Sequence, residues 1–352
     1  MLEGDNIKGR GASDNPGNRF EALRYERDPN DIPEECPAPA TQFFKDGTRS
    51  IIARNDSPDL FFDASINPYR GCEHGCIYCY ARPYHEYLGF SAGLDFETKI
   101  LVKEDAPELL RKELTSPRWQ PQTLALSGVT DPYQPIERRL QITRRCLEVL
   151  AEFRNPVAIV TKNHLVTRDV DYLGELARHH AAMVVLAVTT LDGALARVME
   201  PRATQPQGRL DAIKQLAEAG IPAGVLIAPL IPGLTDHEIP RILQAASAAG
   251  ATFASYVLLR LPHGVAGLFE DWLDRYFPEK KSKILSRVRE TRNGELSDPR
   301  FGTRMKGVGA IADVYRNMFE IARRKAGFPD RRPSLSTAAF RRPNETPMML
   351  FE

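Results

Sequence analysis

Six short apolar runs, separated by stretches of helical period, restrict this chain to an α/β architecture. The runs fall at 61–66, 123–127, 157–161, 183–189, 223–227 and 255–259. Most are continuous rather than alternating, as in Val157-Ala158-Ile159-Val160-Thr161. A strand reads this way when both of its faces are covered. Between the runs, 138–153, 170–179, 209–219 and 238–249 carry the apolar spacing of amphipathic helices. Gly220 and Gly250 follow two of them, where a helix stops on a residue of free backbone. Repeated strand–helix alternation means parallel strands joined by right-handed crossovers. Six units make a partial TIM barrel, (β/α)6, short of the eight that close one. A seventh strand-like piece, 98–102, interrupts the first crossover.

The rest of the chain divides around that barrel. Residues 1–55 combine Gly, Asn, Asp and Pro without periodicity, which predicts a flexible arm; the competing reading is a segment draped over the barrel mouth. Residues 56–262 form the barrel. A helical extension occupies 263–328, with helices expected at 269–277, 282–292 and 311–325, and an Arg-, Pro- and Ser-rich tail from 329 to 352 is expected to be loose. No apolar run approaches the roughly 20 residues that span a bilayer, and the first residues lack the apolar core of a secretory signal. These features predict a cytoplasmic protein with no membrane partner. The 47 basic and 46 acidic residues leave a net charge of +1, so the chain as a whole offers nucleic acid no attraction. Local basic faces remain at Arg138-Arg139, at Arg144-Arg145 and in 316–333.

Chemistry concentrates just after the first run, in Asn67-Pro68-Tyr69-Arg70-Gly71-Cys72-Glu73-His74-Gly75-Cys76-Ile77-Tyr78-Cys79-Tyr80. Three of the five cysteines share this loop, spaced C-x3-C-x2-C; the others are Cys36 and Cys146. An odd number of cysteines in a reducing compartment argues for metal rather than disulfides. Soft thiolates select iron–sulfur clusters, zinc or copper(I). A zinc site would recruit His74 or another cysteine as fourth ligand, and an electron-transfer [4Fe–4S] cluster would need Cys36 or Cys146. With three cysteines alone, one iron stays open to a ligand that is not protein. Cys146 sits on the apolar face of its helix, where a buried structural thiol is expected.

This spacing, with an aromatic residue before the last cysteine and a strand before the loop, resembles the radical S-adenosylmethionine (radical SAM) superfamily. Within it, the chain is similar to the branch related to spore photoproduct lyase, over roughly residues 61–261. The resemblance implies a [4Fe–4S] cluster held by Cys72, Cys76 and Cys79, with S-adenosylmethionine on the open iron. It implies reductive cleavage of that cofactor to a 5′-deoxyadenosyl radical, which abstracts hydrogen from a substrate in a lyase- or transferase-type reaction. It also implies an electron donor of the flavodoxin or ferredoxin type. DNA is one candidate substrate. The opposing reading is a non-catalytic iron–sulfur protein that carries electrons or regulates.

The same resemblance assigns the cofactor-binding residues. Tyr78 lies within the signature. Thr130 and Asp131, in Ser127-Gly128-Val129-Thr130-Asp131-Pro132, match the motif that meets the methionyl amine, and Lys162 matches a lysine near its carboxylate. Thr189 and Glu200 are placed toward the ribose, with Arg209 able to contact a carboxylate or to pair with Glu200. No catalytic hydrogen donor is assigned. Spore photoproduct lyases carry a cysteine at the position of Gly128, which puts their terminal hydrogen return in doubt for this chain. Asp236 reads as a helix N-cap. The last residues, Pro347-Met348-Met349-Leu350-Phe351, faintly resemble a sliding-clamp motif without its glutamine.

Overall fold

The computed structural model describes residues 7–21 and 39–343; Cys36 and the motif at 347–351 lie outside them. Six parallel strands form the expected sheet: Ala64–Ile66 (β1), Leu124–Leu126 (β2), Val157–Thr161 (β3), Ala182–Ala187 (β4), Ala223–Leu230 (β5) and Phe253–Leu258 (β6). They lie side by side in chain order, and β6 does not pair back to β1, so the barrel is partial and open. Continuous apolar runs formed these strands because each face packs separately. Val157, Ile159, Val184, Leu186, Val225 and Ile227 join the core shared with the crossover helices. Ala158, Val160, Met183, Val185, Leu226 and Phe253 meet inside the barrel. That alternation follows from the twofold period of a strand.

The crossover helices are Ala106–Thr115, Ile142–Phe153, Val170–Ala177, Pro206–Glu218 and Ile239–Ala248. The stretch expected as one helix over 138–153 is two, Glu137–Leu140 and Ile142–Phe153, broken at Gln141 with φ +52°. The extension supplies Val265–Tyr276, Lys281–Glu290 and Gly309–Lys325, the last of which packs on Ile239–Ala248. Among the described residues no helix is long and apolar enough to cross a membrane.

Two segments expected to be loose are built into the fold. In the N-terminal arm, Ile52–Arg54 pairs antiparallel with β1 and extends the sheet. Gln42–Lys45 pairs with Lys99–Val102, itself paired with Tyr69–Arg70, in a second, three-stranded sheet. In the tail, Leu335 packs with Met183 and Phe61 inside the barrel. Ser336 N donates to His180 O at 2.9 Å, and Arg342 donates to Ser116 O at 3.1 Å and Trp119 O at 3.0 Å. Composition misses such segments because their contacts are mainly backbone hydrogen bonds, which leave no periodicity in side-chain type.

Candidate metal and cofactor centre

The cysteine loop leaves β1 through the short strand Tyr69–Arg70 and returns against the rest of the molecule by backbone hydrogen bonds. Cys72 N donates to Phe96 O at 2.9 Å, Ile77 N to Met199 O at 3.1 Å and Cys79 N to Cys76 O at 3.2 Å. Gly75, at φ +66°, lies so close to Glu97 that a Cβ would stand 2.7 Å from its Oε2, a position only glycine fills without strain. Glu73 fastens the loop to the segment that follows β2: its Oε2 accepts from Ile136 N at 2.8 Å, and its N–H donates to Gln134 Oε1 at 2.9 Å.

Cys72 and Cys76 are each 7% exposed and Cys79 is half-buried; Ala81, Phe96 and Val129 surround Cys72 and Cys79, and Ile77 and Met199 share a cluster with Cys76. Burial pushes all three thiols up; Asp131 adds to this at Cys72 and Glu200 at Cys76. Left to themselves these thiols stay neutral, and a metal centre is what would hold them as thiolates. Among the described residues no three His, Cys, Asp or Glu side chains converge as ligands of one ion do. A cubane cluster presents separate iron corners to its cysteines, so the donor set fits it better than a tetrahedral zinc site. Cys146 is fully buried in the main core with Leu147 and Leu150, as a structural thiol should be.

Asp131 binds the ends of three elements together. Its Oδ1 accepts from Thr161 Oγ1 at 2.7 Å and Tyr133 N at 2.9 Å; its Oδ2 accepts from Lys162 N at 2.8 Å and faces His74 Nδ1 at 3.3 Å. Burial opposes its charge, but His74, the Lys162 amide and Thr161 outweigh it and hold the carboxyl below its ordinary range. Thr130 Oγ1 donates to Tyr69 O at 2.9 Å. Just before this motif Ser127 takes φ +132°, followed by Gly128 at +143°. A strained non-glycine at the end of a strand is a device of functional sites. A Cβ on Gly128 would meet nothing closer than Ser65 Oγ at 3.5 Å, so backbone conformation rather than space favours glycine there.

The remaining predicted residues form one network. Glu200 Oε1 accepts from Tyr78 OH and, at 2.8 Å, from Thr189 Oγ1, and lies 3.2 Å from Lys162 Nζ. Glu200 Oε2 pairs with Arg209, whose Nη1 also donates to Ala187 O at 2.9 Å. Lys162 Nζ further reaches Thr189 Oγ1 at 3.2 Å and Ala228 O at 2.9 Å. Burial disfavours the Glu200 charge, yet Arg209 and Lys162 overcome it and hold the carboxyl well below its usual range. Burial and Glu200 together keep Tyr78 a protonated phenol. All ten predicted residues thus gather where the cysteine loop meets the C-terminal strand ends, the face on which barrels of this kind carry their chemistry.

Sequence reasoning missed the parts that several residues play here. His74 links the loop to Asp131 and, through Nε2, to Asn163 at 3.2 Å. Arg82 and Glu97 form a fully buried ion pair behind Cys76. Tyr80, more than a third exposed, donates to Gly128 O and lies under the Arg260 guanidinium at 4.6 Å. A buried acid or arginine leaves no periodic signal; only the adjacency of Tyr80 to Cys79 was legible. Asp236 is structural, but as the first residue of a short 3-10 turn rather than its cap, and accepts from Tyr315 OH at 2.8 Å.

A three-cysteine loop above an open parallel sheet, ringed by a buried carboxylate network, defines a class, and comparison gives it a family. The Radical SAM superfamily profile matches residues 66–246; the chain belongs to that superfamily. It is 38% identical to an uncharacterised protein of Mycobacterium tuberculosis over 245 residues, 69% of this chain and 71% of the relative. An uncharacterised protein of Methanocaldococcus jannaschii is 32% identical over 49% of this chain and 62% of its own length. Spore photoproduct lyase complexed with a dinucleoside spore photoproduct shares the fold, with TM-score 0.59 and 15% identity over 81% of this chain and 79% of the lyase.

Proposed function

We propose that this chain is a radical SAM enzyme whose Cys72, Cys76 and Cys79 hold a [4Fe–4S] cluster with one iron open to S-adenosylmethionine. The observation that carries this reading is the juxtaposition of two buried thiols and a half-buried third with Asp131 near Cys72 and with Glu200 and Lys162 near Cys76. A bound, reduced cluster of this kind would supply the single electron for reductive cleavage of S-adenosylmethionine and so for hydrogen abstraction from a substrate. The cofactor's amino-acid end is a zwitterion, and the site offers it both signs of charge. Lys162 would meet the carboxylate, competing with Glu200 for its ammonium protons. Asp131 already accepts hydrogen bonds on both oxygens, so its main part is to hold the motif and His74 in place beside the amine. Tyr78, Thr189 and Glu200 would face the ribose, with Arg209 fixing Glu200.

The substrate class we favour is nucleic acid. Tyr80 offers a stacking face directly after the last cysteine, and Arg260, with no ion pair among the described residues, is half-buried against it. An aromatic ring paired with an unpaired guanidinium suits a base and its phosphate. The dinucleoside spore photoproduct bound by the structural neighbour makes damaged DNA the first candidate to screen. Gly128 offers no hydrogen donor, so any hydrogen return has another source. The electron donor would be a reduced protein of flavodoxin or ferredoxin type.

The test is anaerobic reconstitution with iron and sulfide, reduction, addition of S-adenosylmethionine and assay for 5′-deoxyadenosine. Product that vanishes in Cys72→Ala, Cys76→Ala and Cys79→Ala is expected. A fully loaded protein that leaves the cofactor intact would overturn the proposal.

A further inference from the structure

Against the cysteine loop runs the N-terminal segment that the sequence gives as a flexible arm. Glu97 stands between them, with no exposed surface. Its carboxylate accepts from Gly11 N at 3.0 Å, from Ala12 N at 2.9 Å and from the Arg82 guanidinium. Arg82, equally buried, turns its Nε to Cys76 O at 3.0 Å and its Nη1 to Ala92 O and Gly93 O at 3.1 and 2.9 Å. One carboxylate therefore connects the backbone of a cluster-binding cysteine to two backbone amides some 65 residues earlier.

The fit along this line is close. Gly11 lies on Gly75, between the first two cysteines, so tightly that a Cβ would stand 1.9 Å from Gly75 O. Gly93 lies against Asp14 in the same way, with a Cβ placed 2.0 Å from Asp14 O. Leu94 N donates to Asp14 O at 2.9 Å, Asn15 and Asp95 exchange hydrogen bonds at 3.1 and 2.9 Å, and Ser91 Oγ donates to Pro16 O at 2.7 Å. Ala12 is buried in the apolar cluster that holds Cys76, Ile77 and Met199. Arg82 alone would neutralise Glu97; the extra acceptor capacity is used on Gly11 and Ala12, which come from nowhere else in the fold.

We propose that residues 10–16 are the outer wall of the cluster site, and that Glu97 is a positioning residue which fastens this wall to the Cys76 backbone. The wall keeps water, dioxygen and chelators from the loop and fixes Cys72 and Cys76 at the spacing a cluster needs. This rests on the cluster assignment above. It adds that the cluster is retained by a segment lying outside the barrel altogether.

The test uses the full chain, loaded anaerobically, and follows iron release to a chelator by absorbance. Glu97→Gln weakens the acceptor and Gly11→Ala forces the wall off Gly75 without touching a charge. Both should lose iron about tenfold faster or more, as loss of an outer-shell partner does at other metal sites, with the visible spectrum of the remaining cluster broadened. In the wild-type protein, cluster loading should slow tryptic cleavage after Arg10. Iron release at the wild-type rate in both variants overturns the proposal, as does cleavage after Arg10 at equal rates in loaded and metal-free wild-type protein. A wild-type chain that takes up no cluster would instead overturn the proposed function.

Discussion

Two buried ionic networks differ in how their charges balance. At the rear, Glu137 and Asp169 face Arg168 and Arg144: Arg168 reaches Glu137 at 2.8 Å and Asp169 at 2.7 Å, and Arg144 reaches Asp169 at 2.9 Å. Tyr69 and Tyr133 donate to these carboxylates, and Thr143 N closes the set at 3.0 Å. Two buried carboxylates meet two guanidiniums there, and the exposed Asp171 takes the outer side of Arg144 at 2.7 Å. At the mouth, Glu200 alone faces both Arg209 and Lys162. The rear network is finished; the mouth network holds a surplus cation next to three thiols. Burial of either set is costly unless every charge is paired, so the imbalance marks the mouth as the place that expects a charged ligand.

The comparison can be broken by substitution. The largest contrast should come from the two environments of a buried cysteine. Cys76→Ala should abolish S-adenosylmethionine cleavage, whereas Cys146→Ala, in the core beside Glu137, should leave cleavage intact and cost about 1 kcal/mol of stability; product assay and chemical denaturation read the two effects. Next come the carboxylates. Glu200→Gln strands the buried Arg209 and should cost about 3–5 kcal/mol; Glu137→Gln leaves Arg168 on Asp169 and should cost less, and only Glu200→Gln should weaken cofactor binding in calorimetric titration. Equal cofactor affinities in the two variants would erase the distinction between the networks.

A smaller effect is expected of Lys162→Met. Arg209 remains to balance Glu200, so melting should move little, while S-adenosylmethionine should bind about tenfold more weakly, or about 1.4 kcal/mol. The smallest concerns acid. The folded-state carboxyls of Glu200 and Asp131 titrate below their ordinary values. Their contribution is therefore fully present above the unfolded pKa of about 4 and lost as pH falls through the folded values. Denaturation midpoints should decline below about pH 4, and less steeply in Glu200→Gln.

The barrel was legible because its strands are buried on both faces and its helices on one, so hydrophobic pattern alone encodes them; β3 falls on 157–161 as read. The cysteine loop was legible because its ligands are adjacent in sequence. What escaped was held by polar and backbone contacts across long separations. Glu97 meets Gly11 86 residues away, and nothing in the composition of either stretch signals it. The break at Gln141 was equally silent, since glutamine is an ordinary helix former. Tyr78, Thr189, Lys162, Glu200 and Arg209 were named separately on a resemblance; that they form a single network, with Tyr78 and Lys162 on the same carboxylate oxygen, belongs to the fold.

The most direct test of the open iron is the electron paramagnetic resonance spectrum of the reduced, reconstituted protein before and after S-adenosylmethionine is added. A cluster held by Cys72, Cys76 and Cys79 alone should change its g values when the cofactor ligates the fourth iron, and Lys162→Met should raise the concentration needed. A fully reduced cluster whose signal is indifferent to the cofactor would mean that the protein itself supplies the fourth ligand, and the chain would carry electrons instead of making radicals.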